Sequence, residues 1–263
     1  MTKRTWIATA ALLATVIVAL VVVVVVVNKS AEDSTQAAPP TLSDNPDGEQ
    51  SPPPPPGGAV ETDLSGRQVL IPANRSGDIL STSTDDGGTC EDIRSPQGLQ
   101  IQRINQYPIL FSTDSGPTRI EGSVPTGYAD GPRGAVLAGA NYLWLMQSGG
   151  TPGKDTVRNH MVVDDVFRET MESELTDGFN TEGNSLGAAK AFKVRSCSER
   201  GVVIDYAYDL FGDATGAFPE PKWIVQSVLV VKSDDEWKLS MREGSYTNRG
   251  VTENREGFTT WDM

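Results

Sequence analysis

Histidine is almost missing from this chain. His160 stands alone among 263 residues, and cysteine occurs only twice, at Cys90 and Cys197. One histidine excludes a multi-histidine metal centre, and two cysteines cannot build a four-thiolate zinc site or a disulfide-dense scaffold. Basic side chains are scarce too, 22 against 35 acidic ones, for a net charge of −13. That balance argues against a nucleic-acid partner. No cofactor fingerprint fills the gap. The segment 148–155 (SGGTPGKD) has Ser148 where a phosphate-binding loop needs its first glycine, and Asp155 where it needs Ser or Thr. It reads as a helix-to-helix turn. Asp85-Asp86-Gly87-Gly88 lacks the alternating acids of a calcium loop and reads as a plain loop. Neither metal nor organic cofactor is expected.

What is present begins with a long apolar run. Residues 6–27 are apolar apart from Thr9 and Thr15 and end in seven valines at 21–27. About 20 apolar residues cross a bilayer core, so the run predicts a transmembrane helix. Lys3 and Arg4 precede it, while Lys29 is followed by Glu32 and Asp33. This asymmetry leaves a cytoplasmic tail at 1–5 and exports the remainder, giving a single-pass protein of the cell membrane with its C-terminal domain outside. A cleaved signal has a shorter apolar region and a small-residue cleavage site, which Asn28-Lys29-Ser30 does not provide. The exported part, which holds every acid of the chain, should be repelled from anionic headgroups.

Composition shifts again over 28–61. Between 31 and 60 there are eight prolines, five of them consecutive at 52–56, with five acids, no base and no aromatic residue. Such a segment cannot offset its ordering entropy by burial and is expected to be a disordered spacer. At polyproline II dimensions it reaches up to ~90 Å.

Beyond it, 62–114 reads as a strand-rich extension, with strands near 66–72 and 99–111, the latter interrupted by Pro108. Within 115–245, Asp130-Gly131-Pro132 announces a helix running to about Gln147, apolar nearly all round. A second, amphipathic helix is predicted from Asp155 or Thr156 to Leu175, and a short third one over 186–192. The period then changes to two: 201–211 and 223–232 read as strands, and 233–236 as the turn into a hairpin partner at 237–242. Trp144, Trp223 and Trp237 fall in core-like patterns. The tail, 246–263, is polar and expected to be loosely held. Helices followed by a meander predict an α+β fold, helices packed on one face of a curved antiparallel sheet, with the extra N-terminal strands added.

That order resembles the cone-shaped nuclear-transport-factor-two-like architecture. With the short tail, single span and linker it resembles the bitopic scaffold subunit of type IV secretion systems. The stretches 116–122 (GPTRIEG) and 127–135 (GYADGPRGA) are similar to bitopic envelope proteins of actinobacterial plasmids and conjugative elements. The resemblance implies a non-catalytic scaffold or assembly subunit of a conjugation or secretion apparatus. Other envelope proteins would be its partners, and self-association is implied as well.

The residues offer one chemical alternative. His160 lies on the predicted apolar stripe of the second helix, with Asp164 four residues on, a spacing at which a carboxylate can orient an imidazole. Tyr206 and Tyr208 share the inward face of their strand, and the resembling folds include enzymes that keep such groups in a cavity. A cone-fold enzyme or small-ligand binder with a His160/Asp164 pocket is therefore the competing reading, next to an ordinary, locally satisfied polar pair. A purely structural surface protein is the third. Cys90 and Cys197 both fall outside the membrane, where disulfides persist. They are read as a bridge closing a loop of about 100 residues, or else as two separate thiols.

Overall fold

The computed structural model describes residues 58–175 and 187–263. Among these are thirteen strands and three short helices. A four-stranded sheet comes first, in the order β1 (Gly58–Thr62), β2 (Gln68–Pro72), β3 (Gln100–Ile104), β4 (Tyr107–Phe111). Its central pair, β2 and β3, is parallel. A small hairpin, β5 (Arg119–Glu121) and β6 (Val124–Thr126), leads into helix α1 (Pro132–Leu145). Next come α2 (Gly150–Asn159), β7 (Met161–Val162) and α3 (Asp165–Glu174). The C-terminal part supplies β8 (Ala191–Ser198), β9 (Gly201–Asp213), β10 (Gly216–Ser233), β11 (Glu236–Ser240), β12 (Tyr246–Thr252) and β13 (Thr259–Thr260). These form a sheet in the order β13-β8-β9-β10-β11-β7. The long β10 carries β12 along residues 223–228 and β11 along residues 229–233.

Helix α1 is the centre of the molecule. All its residues except Arg133 are buried, because it packs against β4 and also against β9, β10 and β11. The proline in its first turn suits a helix start. The two-aspartate, two-glycine loop, which reads from sequence as plain connection, serves that start. Its Asp86 and Gly87 carbonyls accept the amides of Gly131 (2.8 Å) and Arg133 (3.0 Å). The Arg133 side chain bonds back to Asp85, and to Asp114 at 3.1 Å. Burying the first helical amides requires such acceptors.

Turn chemistry explains the hairpins. Asn105 and Gln106 both have positive φ, 48° and 77°, as do Asp234 and Asp235, 56° and 60°. Paired left-handed residues are what a two-residue hairpin needs to match strand twist. The 99–111 stretch is thus two strands folded at Asn105, with Pro108 seated inside β4 opposite Arg103.

Several expectations are corrected. The fold is not an α+β cone with helices on one face of a curved antiparallel sheet. It is sheet-rich, with a helix held between two sheets and parallel pairs at β2–β3 and β7–β11. The predicted second helix is two helices. It begins earlier, after Gly149 at φ 65°, and breaks where Met161 and Val162 pair in parallel with Leu239 and Ser240. An exposed stretch of that sequence would suit a helix, but the open edge of β11 captures it. The predicted third helix is absent over 187–192: residues 187–190 are irregular and β8 starts at Ala191. The tail is not loose, since it contributes β12 and β13, and Trp261 is 7% exposed. The linker boundary moves, because residues 58–61 belong to β1. The strands of 62–114 share one apolar core with the rest: Val69 and Phe111 lie in the same cluster as Trp144, Tyr206 and Trp261. Among the described residues no helix is long and apolar enough to cross a membrane. The expected span at 6–27 lies outside them.

Candidate functional site

His160 closes α2, its amide bonded to the Thr156 carbonyl and its own carbonyl accepting the Leu239 amide at 3.0 Å. The imidazole is 3% exposed and stacks on Tyr142, with centroids 5.1 Å apart and planes 16° from parallel. Tyr142 in turn meets the edge of Tyr128. Nδ1 has no hydrogen-bond partner. Burial pushes the imidazole pKa down, opposed by Glu121 and Asp155 and assisted by Lys238 and Arg119. Asp164 is exposed and stands at the start of α3, beyond the break made by β7. The four-residue spacing therefore produces no carboxylate–imidazole pair, because the two residues no longer share a helix.

Tyr206 and Tyr208 do share the inward face of β9, as their period of two predicts. Their hydroxyls are used differently. Tyr206 donates to the carbonyl of Val136 on α1 at 2.6 Å. Tyr208 packs edge-on against Trp144 at 5.2 Å and its hydroxyl has no partner, a condition shared by Trp144 Nε1 and the Tyr246 hydroxyl. Burial raises both tyrosine pKa values well above the ordinary 10.0. Among the described residues no hydrogen bond links any two of His160, Asp164, Tyr206 and Tyr208. Chemically, this arrangement offers neutral, packed groups rather than a proton-transfer pair.

Cys90 and Cys197 are joined by a disulfide with Cα atoms 5.6 Å apart. Cys197 lies in β8 opposite Val202, and Cys90 lies in the connection between β2 and β3. The bond ties the loop side of the first sheet to the second sheet.

The accessible chemistry is on the other face of the large sheet. Along β9, Asp205, Ala207, Asp209 and Phe211 alternate with the inward stripe and point outward. The chain leaves β12, beside β10, and returns as β13, beside β8, so residues 253–258 cross this face as a strap. Beneath it lies a small apolar cluster of Ala191, Ala207, Trp223 and Val225, closed by Phe258. The Arg255 guanidinium sits 5.0 Å above the Trp223 ring, and Lys193 Nζ donates to the Glu256 carbonyl at 2.9 Å. Asp209 accepts from Trp223 Nε1 at 3.0 Å and from Ser65 Oγ at 2.6 Å. A cleft of about 460 Å³ opens beside this group, with Lys190, Phe211 and Leu64 on its walls. Trp223 is buried as its pattern suggests, but in this outer cluster and not in the main core. The readable signal was the second register of β9, where Asp205 and Asp209 recur on the face opposite the apolar stripe.

Among the described residues no three His, Cys, Asp or Glu side chains come together as a metal-binding set. Residues 70–260 match a protein family described as a domain of unknown function (DUF8175), and the chain belongs to that family. No curated protein and no solved structure matches the chain.

Proposed function

On the premise of membership in that family, whose description assigns no activity, we propose that this protein is a single-pass, membrane-anchored subunit of a cell-envelope assembly. Its folded domain works outside the cytoplasm by binding other envelope proteins. The observation that carries the reading is the Cys90–Cys197 disulfide, in a chain whose 6–27 stretch is apolar and of spanning length. Disulfides persist in oxidising compartments, and a span with basic residues before it and acids after it exports the chain on its C-terminal side. The acidic, proline-rich spacer would hold the domain away from the bilayer. The outward face of the large sheet, crossed by the 253–258 strap, offers a binding surface. The resemblance of 116–122 and 127–135 to envelope proteins of conjugative elements favours a conjugation or secretion apparatus. The fold no longer contributes to that choice.

The test is purification of tagged full-length protein from its own cells in mild detergent, followed by mass spectrometry, with external protease applied to spheroplasts in parallel. Digestion of the domain from outside, together with stoichiometric recovery of other envelope proteins, is the expected outcome. Protection of the domain, or recovery of the protein alone at matched expression, would overturn the reading.

A further inference from the structure

Asp205 lies in the middle of β9 on the outward face, with its side chain 4% exposed. Two β-bulges aim at it. On β8 the register against β9 slips between Val194 and Ser196, which makes Arg195 the extra residue. On β12 the register against β10 passes from Gly250 to Asn248, which makes Arg249 the extra residue. A bulge re-aims the side chain it carries. Here one carboxylate receives a guanidinium from either side. Arg249 Nε is 3.2 Å from one oxygen of Asp205, and Arg195 Nε is 3.8 Å from the other. Arg249 Nη2 also reaches Ser227 Oγ at 3.4 Å. Both arginine side chains remain nearly half exposed, 46% and 43%.

We propose that Arg195 and Arg249 form a binding site for a single carboxylate group presented by a partner molecule. Both guanidiniums approach Asp205 through Nε. Arg249 also gives Nη2 to Ser227, which leaves its Nη1 and the whole Nη1/Nη2 edge of Arg195, the fork that matches a carboxylate, uncommitted to Asp205. Among the described residues the Arg195 side chain donates no hydrogen bond and meets only Asp205, at 3.8 Å. One carboxylate beneath two guanidiniums leaves a local excess of positive charge, to which the ammonium of Lys193, opposite Asp205, adds. That charge stands in a chain whose net charge is −13, which repels polyphosphate-type polyanions at long range but not an isolated carboxylate on a neutral surface. Lys193, opposite Asp205 on β8, is engaged by the Glu256 carbonyl and does not occupy the site. The strap packs Phe258 and Arg255 against Trp223 and reaches Lys193 through the Glu256 carbonyl, while the Arg195 and Arg249 side chains stay 46% and 43% exposed. Asp205 is a positioning residue that orients the two forks. The site does not depend on the membrane reading above.

The experiment is calorimetric titration of the full-length chain, in non-ionic detergent at low ionic strength, with acetyl-Gly-Glu-Gly-amide. The glutamine analogue serves as the neutral control and inorganic phosphate as competitor. The expected result is saturable binding of one glutamate peptide per chain, no binding of the glutamine peptide, and weaker competition by phosphate. Arg195→Gln, which leaves Arg249 to pair Asp205, should weaken binding at least about tenfold with melting unchanged. The double variant Arg195→Lys, Arg249→Lys keeps both charges but removes both forks and should weaken it by at least as much. Absence of saturable binding by the unaltered chain would overturn the proposal. So would equal binding of the glutamine peptide, tighter binding of phosphate, or undiminished binding in either folded variant.

Discussion

Asn141 stands in for a missing strand beside Leu110. Its side-chain oxygen accepts the Leu110 amide and its side-chain nitrogen donates to the Leu110 carbonyl, each at 2.8 Å. β4 ends the four-stranded sheet, so this stretch of backbone would otherwise be buried against α1 with no partner. The same amide donates to the Tyr128 hydroxyl at 3.0 Å.

Removing that amide leaves two buried backbone groups unpaired. Each unpaired group costs about 1–3 kcal/mol. Asn141→Ala should therefore lower unfolding free energy by about 2–5 kcal/mol, and Asn141→Leu, though apolar and better packed, should not recover it. Denaturant titration followed by circular dichroism measures both. A loss below about 1 kcal/mol would show that the edge is satisfied in another way.

How much of the fold was readable depends on whether a signal was local. Helix α1 was legible because Gly131-Pro132 and an unbroken apolar run are written in consecutive residues. The β9–β11 meander was legible because its period of two and the Asp234-Asp235 turn are local as well. Residues 160–164 were not, since Met161, Val162 and Val163 fit either a helical stripe or a strand, and the choice is made by β11 from far along the chain. β12 and Trp261 were missed because a Thr-, Asn- and Gly-containing strand has no apolar stripe of its own. For the candidate sites, His160 and Tyr206 were singled out by residue type, yet their surroundings were not visible. Arg195 and Arg249 carried no sequence signal, because a bulge is a property of the register between strands.

The disulfide gives a symmetrical prediction. It closes a loop with a sequence separation of 107, and in the chain-entropy account such a loop is worth up to about 5 kcal/mol. Cys90→Ser and Cys197→Ser each open the same loop, so each should lower the melting temperature to the same degree. The double variant should fall no further. Thermal unfolding with and without reductant measures this. Reductant should shift the unaltered chain and leave the variants unmoved.

Gly139 permits a close approach between α1 and the large sheet. A Cβ built there would stand 2.6 Å from the Tyr206 hydroxyl and 2.6 Å from a Val230 methyl carbon. Neither neighbour has room to withdraw, since both are fully buried. Gly139→Ala should therefore destabilise by about 1–3 kcal/mol, in spite of the better helix propensity of alanine. In a Tyr206→Phe background part of the clash is gone, and the same substitution should cost measurably less. A double-mutant cycle in denaturant gives the coupling directly. Additive costs would mean that the helix shifts as a body instead of pressing on Tyr206.

His160 should make the fold sensitive to mild acid. Burial holds its pKa below the ordinary 6.5, so as pH falls through about 6.5 the unfolded chain takes up a proton before the folded chain does. Stability is complete above that value and declines as pH drops toward the folded pKa. Glu121, whose carboxylate is held low chiefly by its bond to Arg119, loses its contribution only below its usual 4.5. The two losses therefore begin at different points, near pH 6.5 for His160 and near pH 4.5 for Glu121. His160→Gln should flatten the stability profile as pH falls below about 6.5, while leaving the Glu121 contribution to the acid limb below pH 4.5 in place. Denaturant midpoints across that range decide it. An unchanged slope in the variant would show that the imidazole is protonated as readily inside the fold as outside it.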